Sequence, residues 1–214
     1  MEDGVHYGTT DLNDVYSLSG DPLIEFKIGK KAGKLENIRL LSPCKPNKII
    51  GLAINYQGST GQIANMDEPM VFIKPGSCVI GPGDAIKCPF EDTKVWMEAE
   101  LAIVVGKKAR NVSIEEAENY ILGFTVANDV TAENKYEWDH HLARSKGVDT
   151  FCPIGPWIDT SFKPSNQIIE GYQNGELLRK GTLDQRLFKE NEIIAFLSRW
   201  ITLEPFDTIL TGAP

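Results

Sequence analysis

The sequence predicts a strand-rich α+β fold, a β-roll or sandwich rather than a doubly wound parallel sheet. Three observations carry this. Short apolar runs recur along the chain between Gly, Pro and Asn punctuation. Only two or three stretches have helical spacing, so strands and helices do not alternate as a parallel sheet requires. Asn174-Gly175, set between two such runs, is a strong two-residue hairpin signal.

With 214 residues, 42% of them hydrophobic, the chain can bury a real core in one domain with a small appended lobe. In residues 1–44 the runs VYSL, LIEFKI and IRLLS predict a few small strands, and Pro43 and Pro46 bracket the boundary with a main domain, 45–214. The basic stretch KIGKKAGK, 27–34, reads as a charged hairpin turn. IIGLAI predicts a strand, and NYQGSTGQIANMDEP after it a polar loop of a length that often carries function. MVFIKP is a strand closing on Pro75, and CVIGPGDAIKCP two β segments meeting across GPGD. WMEAELAIVVG, 96–106, is a buried strand interrupted by two acids. Ser113, Glu115 and Glu116 before Ala117, Tyr120 and Ile121 predict an N-capped helix. ILGFTVA is a further buried strand that ends at Asn128-Asp129, and residues 131–148 are charged, aromatic, and helical or loop-like. FCPIGPWI, IIEGYQNGEL, a helix over 191–200 and FDTILTGAP complete the chain.

Composition removes several functions. Lys and Arg number 22 against 30 Asp and Glu, a formal charge of -8, and no basic run is interleaved with aromatics, so nucleic acid and anionic membranes are disfavoured partners. The four cysteines form no CxxC pair, which predicts free thiols in a reducing compartment. No signal peptide and no bilayer-length apolar stretch are present, so the expected location is cytoplasmic. GKKAGK is one residue too short for a phosphate loop and lacks its hydroxyl; no G-x-G-x-x-G and no G-x-S-x-G occur. His6, His140 and His141 are too few for a histidine-rich zinc site.

What remains is carboxylate. Glu98 and Glu100, two apart on a strand, share one face, and Asp129 ends a second apolar strand. If those strands are neighbours, the three acids form an incomplete oxygen cage of the kind Mg²⁺ takes. On the residues alone a solvent-exposed E-x-E face stands equally open, and Asp129 also reads as a helix N-cap before Thr131. Lys146, in ARSKGVDTFCPIGPW, is a candidate to polarise a substrate oxygen or stabilise an enolate.

Taken in order, NKIIGLAINY, FIKPGSCVIGPGD, MEAELAIVVGKKARNVS, GFTVANDVTA, SKGVDTFCPIGPW, the Asn-Gly turn and TLEPFDTILTGAP resemble the fumarylacetoacetate hydrolase family, in particular its 2-hydroxyhepta-2,4-diene-1,7-dioate isomerase and acylpyruvase-like members. The resemblance covers nearly the whole chain. It implies a mixed β-sandwich roll with a small N-terminal lobe, usually a homodimer. It also implies Mg²⁺ or Mn²⁺ held by Glu98, Glu100 and Asp129, and a small 2-oxo acid substrate. Lys146 matches the family's catalytic lysine, while Tyr56, Lys74 and Thr211 match positions lining the substrate pocket.

The departures shape the expected chemistry. Hydrolytic members carry D-H-x-x-E after Asn-Tyr, whose His and Glu activate water; here Ser59 and Gln62 stand there, and neither is a base near neutral pH. The family's Ala-Arg-Asp-x-Gln is Ala132-Glu133-Asn134-Lys135-Tyr136, so an arginine and a glutamine that contact substrate are missing. Phe206 replaces a customary turn glycine, and the chain stops at Pro214 where relatives continue through closing strands. The expectation is a metal-dependent isomerase or decarboxylase working through an enolate, with Glu133, His140 or His141 carrying the proton. A C–C hydrolase and a non-catalytic metal- or metabolite-binding protein are the alternatives.

Overall fold

A computed structural model describes residues 4–57, 66–135 and 137–214; Ser59 and Gln62 lie outside the described residues. The chain opens with a three-stranded antiparallel sheet of β1 (Gly8–Thr10), β2 (Asp14–Asp21) and β3 (Glu25–Lys34). KIGKKAGK therefore lies in a strand and not in a turn; the reversal sits just before it, where the Ile24 amide donates to the Asp21 carbonyl at 3.1 Å. Because almost all of β3 is exposed, it needs no apolar alternation. Its ladder to β2 and cross-strand pairs such as Lys31–Asp14, 2.5 Å, hold it instead.

The main body contains β4 (Lys48–Leu52), β5 (Val71–Pro75), β6 (Val79–Ile80), β7 (Val95–Trp96), β8 (Ala99–Val105), β9 (Ile121–Asn128), β10 (Thr131–Ala132), the single turn α1 (Ala143–Lys146), β11 (Cys152–Asp159), β12 (Ile168–Gln173), β13 (Glu176–Thr182), α2 (Glu190–Ser198) and β14 (Thr208–Leu210). Seven strands form one mixed sheet in the order β5-β4-β14-β8-β9-β11-β6. Its edge strands β5 and β6 are separated in sequence only by Gly76–Cys78, so the sheet curls until its edges meet. That curl makes the roll. The β12–β13 hairpin turns at Asn174 and Gly175, φ 52° and 83°, as the primed turn of an Asn-Gly pair requires.

Alternation along β8 decides where its acids go. Leu101, Ile103 and Val105 pack with Ile50, Leu52, Ile209 and the α2 residues Ile193, Ile194 and Leu197, whereas Ala102 faces the other way with Ile49, Leu210, Cys152 and Ile154. Each buried aliphatic contributes about 1.5–3 kcal/mol, and a one-residue slip would misplace them all. The aliphatics thus fix the register, and the register sends Glu98 and Glu100 to the Ala102 side, inside the roll.

The predicted helix after Ser113 is reduced to a 3₁₀ turn, Ala117–Tyr120. The Ser113 hydroxyl does accept the Glu116 amide at 3.4 Å, but β9 begins at Ile121 and leaves no room for further turns. No helix follows Asp129 either, since Thr131 and Ala132 pair with β7. Phe206 takes the left-handed conformation, φ 69°, that a glycine would adopt freely. Its stacking on Tyr7, centroids 6.0 Å apart, ties the first sheet to this turn and offsets a cost of about 1–2 kcal/mol. All four cysteines are free. Among the described residues no helix is long and apolar enough to cross a membrane.

Candidate active site

β8 and β9 are antiparallel neighbours, with Ala99 opposite Asn128 and Glu100 opposite Ala127. The start of one strand therefore lies beside the end of the other, and the ladder runs one step further, the Asp129 amide donating to the Glu98 carbonyl at 2.9 Å. Glu98, Glu100 and Asp129 consequently converge, offering ligand oxygens within 4.8 Å of one another. Glu100 and Asp129 are each 1% exposed, which excludes a solvated E-x-E face.

Two lysines neutralise part of this charge. Lys146, from α1, donates to Glu98 Oε2 at 2.6 Å and to Asp129 Oδ2. Its ammonium sits 4.9 Å from the centre of the Phe72 ring. That ring lies over Gly51, where a Cβ would come within 2.2 Å of it. Lys74 is fully buried and donates to Asp129 Oδ1 at 2.5 Å and to the Phe151 carbonyl at 2.8 Å. It therefore holds Asp129 from behind. Glu98 is fixed further by the Trp96 indole at 3.0 Å and the Thr131 hydroxyl at 3.3 Å.

Glu100 has no such cation. Its Oε2 accepts the Gly212 amide at 2.5 Å, and no ammonium or guanidinium pairs with it among the described residues. Gly212 has φ +88°, and a Cβ there would lie 2.9 Å from Asn55 Cβ, so only glycine brings this amide to the carboxylate without strain. Burial, then the neighbouring charge of Asp129 and of Glu98, pushes the Glu100 carboxyl well above its usual range, against the pull of Lys146. Burial also acts to raise Glu98, but the Lys146 ammonium and Trp96 hold it below the ordinary carboxylate value. For Lys146, burial works downward and is outweighed by Asp129 and Glu98, which raise it.

Thr211 is buried and donates its hydroxyl to the Leu101 carbonyl at 2.9 Å. Asn55 clamps the same segment, bonding the Thr211 carbonyl at 2.8 Å and both the amide and carbonyl of Phe188. Tyr56 is buried beside it, bridges Arg186 through the backbone, and has its phenol pushed up to about 12, chiefly by burial. Glu133 continues β10, its amide donating to the Lys94 carbonyl at 2.9 Å, and it lines a cavity with Asp139, Arg144 and Ser145. His140 and His141 are exposed. The supporting contacts of Lys74, Asn55 and Gly212 join residues far apart in sequence, whereas Trp96 reaches Glu98 from two residues away on the same stretch of chain.

Three carboxylates with no sulfur or nitrogen ligand suit a hard divalent cation. Set against two ammoniums, three carboxylates leave an excess negative charge that such a cation balances.

Residues 48–214 match the model of the fumarylacetoacetate (FAA) hydrolase C-terminal domain. The mitochondrial oxaloacetate tautomerase fahd2 of Xenopus laevis is 38% identical over 190 residues, spanning 83% of this chain and 58% of that protein. The crystal structure of 5-carboxymethyl-2-hydroxymuconate delta-isomerase from Mycobacterium smegmatis superposes with a TM-score of 0.84 at 32% identity, covering 98% of this chain and 83% of that one. Maleylpyruvate hydrolase from Sphingobium sp. SYK-6, in complex with manganese(II) and pyruvate, gives a TM-score of 0.77 at 26% identity, covering 99% and 86%.

Proposed function

The chain belongs to the fumarylacetoacetate hydrolase family and is an enzyme, and from that premise we propose that it acts on a small 2-oxo or 2-hydroxydienoic acid through an enolate, by isomerisation or decarboxylation. The observation that carries this is the buried convergence of Glu98, Glu100 and Asp129 with Lys146 beside them. In this reading the three acids hold Mg²⁺ or Mn²⁺, as the manganese in the maleylpyruvate hydrolase structure supports. A divalent cation there supplies Lewis-acid stabilisation of negative charge developing on substrate oxygen.

The protein's own groups do the rest. Lys146, with its pKa raised, stays an ammonium near neutral pH and serves as hydrogen-bond donor to the enolate oxygen rather than as a base. Lys74 keeps Asp129 oriented, and Gly212 does the same for Glu100. Glu133 takes the proton from the carbon next to the carbonyl; the C–H electron pair moves toward the carbonyl oxygen, and return of the proton to a different atom completes the isomerisation. In decarboxylation the pair comes from the C–C bond as CO₂ leaves, and the enolate carbon then takes up a proton to give the product. Neither route needs an activated water, in keeping with Ser59 and Gln62 at the dyad positions. The same reading takes the active species to be a homodimer with residues 1–44 as a separate lobe.

The test is product identification by NMR with Mg²⁺-loaded protein and three substrates in turn: oxaloacetate, an acylpyruvate and a 2-hydroxydienedioate. Accelerated keto–enol or double-bond exchange, or loss of CO₂, is expected. Cleavage of the acylpyruvate to pyruvate and a second acid would replace this reading with hydrolysis.

A further inference from the structure

Two of the free cysteines, Cys78 and Cys152, meet where β6 joins the sheet. β6 runs parallel to β11 with Val79 opposite Cys152 and Ile80 opposite Pro153, and Cys78 immediately precedes that pairing. Parallel strands lie about 4.8 Å apart and rise about 3.3 Å per residue, so one diagonal step separates the two Cα atoms by about 5.8 Å, a span that a disulfide bridges. Both side chains are fully buried in one cluster with Ile49, Ala102, Ala127, Ile154 and Leu210. A hydrogen bond from the Cys152 thiol lowers the Cys78 thiol, against burial and with help from the Lys74 ammonium. The same bond, then burial, pushes Cys152 up. Cys78 is thus the nucleophile of the pair.

Both cysteines adjoin what holds Lys74. Cys152 follows Phe151, whose carbonyl accepts the Lys74 ammonium at 2.8 Å. The Cys78 thiol donates at 2.8 Å to the carbonyl of Pro75, the residue after Lys74. Lys74 in turn bonds Asp129 at 2.5 Å, so the thiols lie one lysine behind the acidic cluster. Access comes from the edge. β6 is a two-residue edge strand, and Pro153 brings no amide to its ladder, so this corner opens at less cost than the core and admits a small oxidant.

Resting on the metal centre proposed above, we propose that Cys78 and Cys152 form a reversible disulfide that weakens divalent-cation binding, a peroxide-sensitive switch on the site of Glu98, Glu100 and Asp129. The Cys78 sulfur attacks one oxygen of hydrogen peroxide; an S–O bond forms, the O–O bond breaks, and hydroxide leaves as water with the proton Cys78 gave up. The Cys152 sulfur then attacks the Cys78 sulfenic sulfur, and the second oxygen departs as water with the Cys152 proton. Two thiols lose two electrons, and one peroxide becomes two waters. The new bond removes the donor to the Pro75 carbonyl and draws Cys152 toward β6. The Phe151 carbonyl moves with it, which loosens Lys74 and the aspartate that Lys74 holds.

The experiment uses the full chain carrying Cys88→Ser, which removes the exposed thiol. Disulfides are mapped by mass spectrometry of an unreduced digest, and Mn²⁺ is titrated by calorimetry before hydrogen peroxide, after it, and after dithiothreitol. The expected result is a Cys78–Cys152 cross-link with Mn²⁺ affinity lower by about tenfold or more, the cost of disturbing an outer partner of a metal ligand, and recovery on reduction. Cys78→Ala, with Cys152→Ala as a second variant, should keep the reduced affinity in peroxide. No cross-link between these two residues, a cross-link with unchanged affinity, or an equal loss of affinity in both variants would overturn the switch alone. If the reduced protein takes up no Mn²⁺, the metal reading itself fails and the switch fails with it.

Discussion

Lys146→Met is expected to lower kcat for isomerisation or decarboxylation by about 10²–10³-fold, the usual consequence of removing one donor to a developing oxyanion. The same change takes an ammonium away from Glu98 and Asp129. Metal affinity should therefore hold or rise while turnover collapses. A lysine that merely stabilised the fold would give the opposite pairing, a loss of thermal stability with residual turnover per folded molecule. Lys146→Arg should not rescue activity, because the guanidinium fork cannot reproduce a compact ammonium packed over Phe72. Steady-state kinetics beside a Mn²⁺ titration of each variant separates these outcomes.

Glu100→Gln is expected to act in opposite directions on the metal-free and metal-loaded protein. The amide keeps the shape and the acceptor for Gly212 but removes a buried charge next to Asp129 and Glu98. The folded carboxyl lies well above its ordinary value of 4.5, so the metal-free wild type loses stability as pH rises above the unfolded carboxylate range toward the folded pKa. The variant escapes that loss, and its metal-free unfolding midpoint at neutral pH should be higher than that of wild type. Conversely, saturating Mg²⁺ should raise the wild-type midpoint and leave the variant almost unmoved, with metal affinity reduced by more than about 100-fold, beyond what loss of an outer contact costs. Thermal unfolding with and without Mg²⁺ reads both signs in one experiment.

Much of the site was legible from the chain because its carriers are local. Period-two geometry alone put Glu98 and Glu100 on one face, and an apolar run ending at Asp129 supplied the third acid. Which face was buried could not be read locally, since it depends on α2 and β14 packing against Leu101, Ile103 and Val105. Lys74 illustrates the same limit. FIKP identifies the residue, but its contact with Asp129 arises from curling β5 round to the end of β9, across 55 residues of sequence. The misread elements are those whose local pattern lacked a decisive term. Exposed β3 has no buried face to mark it as a strand, and the capped turn at Ser113 had every start signal of a helix but no length.

The most direct measurement is anomalous diffraction from a crystal of the full chain soaked with Mn²⁺. The predicted result is a single strong peak bounded by Glu98, Glu100 and Asp129 that disappears in Glu100→Gln crystals. A peak at other residues, or none among these three carboxylates at saturating Mn²⁺, would contradict the metal centre and the enolate chemistry built on it.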